Sequence, residues 1–359
     1  MSRPQGRPAV VEPASGTAPL LARAARREPV EHTPVWFMRQ AGRALPEYRA
    51  IREEYGIFQI CQTPELCAEV SLQPVRRLGV DGAVLFADIM LPVAFGLGVK
   101  LDLVESIGPV IEHPIRSAAD VDALLATPAD EAVPFVMDTI RILRRELPSG
   151  VAVIGFSGAP FTLASYLIEG RPSRDFLKTK AIMLGEPALW DALLGRLQRM
   201  VLDYLLAQAR AGAHVLQLFD SWVGALAPDE YRTRVLPFTA PIFEGLRAAG
   251  VPTVHFGTGT AGMLSLMREA GGEVIGLDWR VDLGAAWQSI GFDAGVQGNL
   301  DPAMLLAPWP VVEAGARRIL RSAAGRPGHI FNLGHGVLPE TPVEHMQRVV
   351  ELVHAETGG

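Results

Sequence analysis

Cysteine is almost missing from this sequence: among 359 residues there are two, Cys61 and Cys67. Two thiols six positions apart in CQTPELC cannot build a disulfide scaffold, and their spacing fits no zinc pattern, so a reducing compartment is expected. No His-Glu-x-x-His or Cys-x-x-Cys segment occurs and nothing after Cys67 offers a thiolate, so no metal is expected. Positive charge is in deficit. The net charge of −6 leaves no global basic field for nucleic acid or an anionic membrane, and an acidic substrate would need a local arginine cluster. Long hydrophobic runs are lacking too. The longest, 89–99, has eleven residues, contains Pro92, Gly96 and Gly98, and is flanked by Asp88 and Lys100; a membrane-spanning helix needs about 20. The first residues carry Arg3, Arg7 and Glu12 among prolines, without the apolar segment of a secretory signal. Residues 1–15 are expected to be a mobile tail ahead of one domain over 16–359, in the cytoplasm.

What is present suits a large core: 49% of residues are hydrophobic and 20% charged, which excludes a disordered chain. Short β-branched runs recur: PVWF (34–37), GAVLF (82–86), VAVIGF (151–156), HVLQLF (214–219), TVHFG (253–257), VIGL (274–277), GVQGNL (295–300) and HIFNLG (329–334). They are apolar almost throughout rather than alternating, as parallel strands buried on both faces would be. Helical patterns fill the gaps. Pro46 opens EYRAIREEY with Gly56 as its stop, and 190–211 is amphipathic and ends at Gly212. Residues 261–270 and 310–324 also read as helices, as does 228–248, which Pro237 and Pro241 should break into two pieces. Strand and helix alternating eight times predicts a single-domain (β/α)8 TIM barrel rather than a doubly wound sheet of five or six strands. The long gaps after the second and third runs should hold extra elements.

In such a barrel, chemistry gathers at the C-terminal ends of the strands, and the unusual residues fall there. Arg39, Gln40, Gly42 and Arg43 follow the first run; two guanidinium forks beside a glycine can hold carboxylates or phosphates, although two surface arginines on a loop would look the same. Asp88 follows the second run among apolar neighbours and needs a donor or a cation there, unless it caps the next helix. Tyr166 stands in FTLASYLIEG, on a predicted helix, where an aromatic is ordinarily core. Ser221 follows Asp220 at a strand end; a helix cap is the plain alternative, and no G-x-S-x-G elbow marks it as a nucleophile. His335 lies between two glycines in FNLGHG, which leaves space for a ring or ligand. Gly257-Thr-Gly259-Thr-Ala-Gly262, with Asp278 about 20 residues on, has the format of a dinucleotide fingerprint. It sits in the fifth unit of eight and Asp278 is followed by Trp279 and Arg280, so nicotinamide binding is not expected; anion contact at that helix start stays open.

PVWFMRQAGRALPEYR, LFADIM, GFSGAPFTLASYLIEG, QLFDSWVG, GLDW, QGNLDP and FNLGHG, in this order over residues 34–336, resemble the uroporphyrinogen decarboxylase family. Ala44 stands where the family usually has an aromatic, and Ala87 where a serine usually precedes the aspartate; Ala44 should loosen the cleft wall slightly. The resemblance implies a (β/α)8 barrel, usually a homodimer, acting on uroporphyrinogen with no cofactor. Four acetate side chains of uroporphyrinogen III would lose CO2 and become methyl groups, giving coproporphyrinogen III in haem biosynthesis. Protonation of the adjacent pyrrole carbon would make the substrate's own ring the electron sink, leaving the protein to stabilise positive charge. By the same resemblance Asp88 would face the pyrrole N–H groups, and Arg39, Gln40, Ala41 (through its backbone), Gly42 and Arg43 would bind substrate. The arginines would pair with carboxylates and one of them would serve in proton transfer, which one being open. Tyr166, Ser221 and His335 would complete the contacts, with His335 best suited to a proton role because its reference pKa is about 6.5. The implied catalytic set is Asp88, Arg39, Arg43 and His335. Two rivals differ in need: a zinc methyltransferase of similar fold requires late His and Cys ligands, and a non-catalytic porphyrin binder requires no aspartate facing a cationic ring.

Overall fold

Consecutive rather than alternate residues along the strands are buried, a pattern that requires both faces of a sheet to be covered. The computed structural model describes residues 18–104 and 107–358; the expected tail over 1–15 lies outside them. The strands are β1 (Gly82–Val84), β2 (Leu101–Val104), β3 (Gly108–Ile111), β4 (Ala152–Gly158), β5 (Val215–Asp220), β6 (Thr253–Gly257), β7 (Val274–Gly276), β8 (Gly295–Gln297) and β9 (His329–Ile330). Seven of them form one curled sheet in the order β1-β4-β5-β6-β7-β8-β9, every pair parallel. The hairpin β2–β3 is antiparallel and stands apart. It belongs to the long gap after β1, as expected, together with three helices over 118–146; the gap after β4 holds helices Pro160–Glu169, Leu177–Gly185 and Pro187–Ala211.

The first apolar run supplies the eighth position without becoming a full strand. Val35 bridges Phe331 in parallel; the Phe331 N–H donates to the Pro34 carbonyl at 2.9 Å, and the Asp81 N–H to the Val35 carbonyl at 2.8 Å. The segment thus bonds to the last strand on one side and the first on the other. Pro34 has no N–H to add, and the chain turns at Met38–Arg39, so pairing stops at a bridge.

Helices cover the outside. Pro187–Ala211 buries Leu189, Trp190, Leu193, Leu194, Leu197, Val201 and Leu205 at helical spacing and ends on Gly212 at φ +113°. Its Gln208 is also buried. The β1 pairing of β4 runs out at Ile154, and Gln208 takes over, donating to the Phe156 carbonyl at 2.9 Å and accepting the Phe156 N–H at 2.8 Å. Pro237 does break 228–248, into Pro228–Arg234 and Leu236–Arg247, whereas Pro241 is carried inside the second piece. The expectation for Gly56 is corrected: it stays extended at φ −69° and opens the next helix, while the helix before it ends at Tyr55. No helix among the described residues is long and apolar enough to cross a membrane.

A polar chain crosses the buried interior. Trp36 Nε1 donates to Gln297 Oε1 at 3.0 Å, and Gln297 Nε2 to Gln217 Oε1 at 3.0 Å, all three residues being at most 1% exposed. Gln297→Leu would leave the indole N–H and the Gln217 oxygen without partners. Each orphaned group costs about 1–3 kcal/mol, so the midpoint of urea unfolding should fall markedly for this substitution, and an unchanged midpoint would show the chain to be dispensable.

Candidate active site

The loop after the bridging segment is shaped by bonds on both sides of Arg39. Met38 donates its N–H to Asn332 Oδ1 at 3.1 Å and accepts the Val337 N–H at 2.8 Å, which ties the loop to the segment after β9. Gln40 is fully buried: Oε1 accepts the Phe37 N–H at 3.0 Å and Nε2 donates to the Gly82 carbonyl at 2.8 Å. Between these anchors Arg39 adopts φ +60°, a left-handed conformation that costs a residue with a Cβ about 1 kcal/mol. Gly42 is required by proximity, since a Cβ there would come within 2.9 Å of the Arg39 carbonyl oxygen. Arg39 and Arg43 are exposed and neither enters an ion pair among the described residues. The N–H groups of Ala41 and Gly42 likewise donate to no described group, so the loop offers two guanidiniums and two free amides.

Asp88 follows β1 where the ladder has ended, and its loop is held from behind. Phe86 donates its N–H to Ser71 Oγ at 2.8 Å, and its carbonyl accepts Cys67 Sγ–H at 2.9 Å. The Asp88 side chain, part-buried, accepts one bond, from the Met90 N–H at 2.8 Å, so the local turn bond occupies one carboxylate oxygen and no described donor reaches the other. Burial raises its pKa, and the Met90 N–H and the Arg39 charge offset this only in part. On the helix Pro160–Glu169, burial and then the Asp88 charge push the Tyr166 hydroxyl up to about 12. Its ring lies 4.3 Å from that of Trp222. Ser221 is part-buried beside Trp222, and its carbonyl accepts the Thr258 hydroxyl.

His335 is the clearest departure from expectation. Burial, then the charges of Arg39 and Arg280, push its imidazole down to about 4, so in the free protein it is neutral at neutral pH rather than a ready proton donor. Its flanking glycines serve protein contacts: a Cβ on Gly334 would collide with the Trp279 backbone and one on Gly336 with the Arg39 side chain. The Arg39 charge is thus felt by Asp88, Tyr166 and His335, which come from the ends of β1, β4 and β9. Gln40 does not join that group, since its side-chain amide is spent on the Phe37 N–H and the Gly82 carbonyl. Ala44 is 6% exposed, packed in the core with Leu45 and Tyr48 rather than lining open space.

Other polar residues near the strand ends are spent on the protein itself. Asp278 is 1% exposed and spends its carboxylate on the Gly259 N–H at 2.6 Å and on the Arg280 side chain at 2.8 Å. That removes the acid a dinucleotide ribose would need. The glycine turn itself is filled by packing: a Cβ on Gly224 would overlap Thr258 and Gly259. Asp220 is fully buried, not in the cleft, with His255 Nε2 3.8 Å away. Among the described residues one group has metal-ligand character, His32, Asp81 and His354, with ligand atoms within 4.8 Å of one another. It lies at the N-terminal ends of the strands, where His354 Nε2 bonds Asp81 Oδ2 at 2.8 Å and the Val35 N–H bonds the same oxygen at 2.7 Å, so it pins the last helix to the barrel.

Comparison with known proteins gives a consistent result. The family model described as uroporphyrinogen decarboxylase (URO-D) matches residues 17–356. A uroporphyrinogen decarboxylase of Thermus thermophilus is 57% identical over 93% of this chain and 97% of its own length. That of Carboxydothermus hydrogenoformans is 52% identical over 92% and 95%. Among solved structures, a methyltransferase from Methanosarcina mazei superposes with a TM-score of 0.77 at 21% identity, covering 95% of this chain and 99% of that one. A B12-independent methionine synthase from Shewanella gives 0.56 at 11% identity over 84% and 90%. At these identities the two structures speak for the barrel fold alone.

The His335 geometry has a direct spectroscopic consequence. Its imidazole resonances should stay at their neutral positions down to about pH 5 and titrate with a midpoint near 4. Arg39→Gln removes one of the two cations that disfavour the imidazolium, so its midpoint should rise. A midpoint near the ordinary histidine value in the unaltered protein would contradict the burial of this ring.

Proposed function

The chain belongs to the uroporphyrinogen decarboxylase family, and from that premise we propose how its cleft removes CO2 from uroporphyrinogen. The protein is a carboxy-lyase of tetrapyrrole biosynthesis and its substrate is uroporphyrinogen. Asp88 is the electrostatic centre. The observation that carries this reading is a carboxylate with one protein hydrogen bond and a raised pKa, next to a cation it does not pair with. Pyrrole N–H groups supply the donors that Asp88 lacks, and its charge balances a ring that turns cationic.

The steps then follow from the substrate's own chemistry. A proton adds to the pyrrole α-carbon next to the carbon bearing the acetate, so the ring becomes an electron acceptor at the acetate-bearing carbon. The C–CO2 bond breaks, its electron pair flows into the ring, and an exocyclic double bond forms. A second proton adds to the methylene carbon, giving the methyl group, and the ring carbon gives up its proton to restore the pyrrole. Electrons balance within the substrate, so no cofactor is invoked. Arg39 and Arg43, with the free N–H groups of Ala41 and Gly42, hold carboxylates. Gln40 acts as a positioning residue by fixing this loop against Gly82. Tyr166 and Ser221 act as hydroxyl partners of substrate carboxylates. His335, neutral in the free protein, contributes a ring N–H first and takes up a proton only when substrate carboxylates offset the two arginines.

The zinc methyltransferase alternative finds no support in the thiols. Cys61 and Cys67 are buried, burial raises both, Cys67 to about 12, and Cys67 is engaged with the Phe86 carbonyl. Assembly as a homodimer is part of the same reading and rests on the family alone. An anaerobic assay with uroporphyrinogen and no added cofactor, products separated by carboxylate number, tests the proposal. Asp88→Asn keeps the shape and removes the charge; turnover should fall by about 10²–10³-fold with the unfolding midpoint preserved. Near-normal turnover in that variant would end the electrostatic account.

A further inference from the structure

Arg280 stands on the loop after β7, outside every motif that pointed to the cleft, yet it is built into the cleft wall. Its Nη1 bonds the buried Asp278 carboxylate at 2.8 Å, and its guanidinium lies 3.9 Å over the Trp279 ring. The side chain is nevertheless 53% exposed. A planar fork with five N–H donors, anchored through Nη1 and stacked on one face, keeps donors turned to solvent in a fixed place. Stacking matters here because a free arginine would lose rotamer entropy on gripping a ligand, and this one has already lost much of it.

Trp279 connects Arg280 to the chemistry. Its ring meets His335 edge-on, centroids 6.2 Å apart at 89°, and its backbone packs on Gly334. On the other side of His335, Gly336 packs on the Arg39 side chain. Two guanidiniums therefore flank one imidazole, and both disfavour its protonation. They differ in what lies beside them. Arg39 shares its surroundings with Asp88 and Tyr166, where a ring being protonated would sit. Arg280 has a neutralised acid behind it and open solvent in front.

We propose that Arg280, stacked on Trp279, forms a rim subsite for a substrate carboxylate that is not removed, a propionate-type side chain rather than a reacting acetate. The inference rests on the decarboxylase reading of the cleft. A grip on propionates suits a reaction that repeats four times on one molecule: acetates vanish step by step, whereas propionates persist through every intermediate. A contact with them holds each successive substrate equally and discriminates against tetrapyrroles lacking that carboxylate.

The test compares the full-length protein with Arg280→Gln and Arg280→Lys under anaerobic conditions, using uroporphyrinogen and reading KM, kcat and the distribution of partly decarboxylated products. Loss of one exposed charge-assisted contact should raise KM about tenfold in Arg280→Gln with kcat little changed. Arg280→Lys keeps a point charge and should recover part of the loss. The product distribution should match that of the unaltered protein at equal turnover, and thermal unfolding of both variants should be near normal. A KM within about twofold of the unaltered protein, the size of an exposed charge with no partner, overturns the subsite. Accumulation of intermediates with KM unchanged overturns the propionate assignment and moves Arg280 to an acetate. If the unaltered protein itself leaves uroporphyrinogen intact, the decarboxylase reading has failed, a result that the variants alone could not produce.

Discussion

In the proposed reaction the cleft depends on one part-buried carboxylate, Asp88, that enters no ion pair among the described residues. Moving a charged group out of water is expensive unless donors replace the lost solvation. Asp88 has one protein donor, the Met90 N–H, and burial outweighs it together with the Arg39 charge. Such a group attracts whatever brings N–H donors or positive charge. A pyrrole ring brings the first on binding and the second on protonation. The stabilisation is therefore greater in the cationic state than in the bound ground state, which is the condition for acceleration rather than mere affinity. Nearby groups agree with this: Tyr166 is kept as a hydroxyl and His335 as a neutral ring, so neither competes with the substrate for the role of cation or anion.

Holding a carboxylate in that state requires a rigid backbone where the sheet no longer provides one. The strands are short, and their ladders end before the reacting groups begin. Side chains from outside elements take over. Gln208 bonds both polar groups of Phe156, Ser71 and Cys67 bond those of Phe86, Gln40 spans Phe37 and Gly82, and Asn332 holds Met38. Each replaces a missing ladder bond, so no loop backbone needs water at these points. Arg39 can then be kept in its left-handed conformation, because the residues on both sides of it are fixed.

The barrel is legible because burial on both faces leaves continuous apolar runs, and these survive in the sequence whatever the loops do. Seven of the eight runs are strands at nearly the expected places; the first shrinks to a bridge because Pro34 cannot donate and the chain turns at once. Arg39, Asp88 and His335 stand out in the sequence as polar residues at the ends of apolar runs, whereas Tyr166 lies on the helix Pro160–Glu169, where the residue pattern alone reads it as core. Gln40 reads one layer too far out: beside two arginines it looks like a ligand contact, but its amide is spent on backbone. Arg280 is not legible as a cleft residue, since its place rests on a stack on Trp279 and a bond to Asp278; Asp278 does leave a spacing from the glycine turn, but the bond behind it is internal, to the Gly259 N–H. The glycines around His335 mislead for a related reason. Sequence shows that a side chain is excluded, not which neighbour excludes it.

The two cysteines of the chain illustrate how far fold and chemistry separate. A methyltransferase shares this barrel at 21% identity, so the scaffold does not select a reaction. The two thiols here sit behind the loop of Asp88, protonated by virtue of burial. Cys67 gives its S–H to the Phe86 carbonyl, two residues before the aspartate, and Asp88's negative charge further disfavours ionisation of Cys61. A thiolate at either position would add a second anion behind the carboxylate and raise its proton affinity still more. Keeping these sulfurs neutral therefore serves the same end as keeping His335 neutral: under the proposed mechanism Asp88 is the anion of the recess, and the ring that enters would supply the cation.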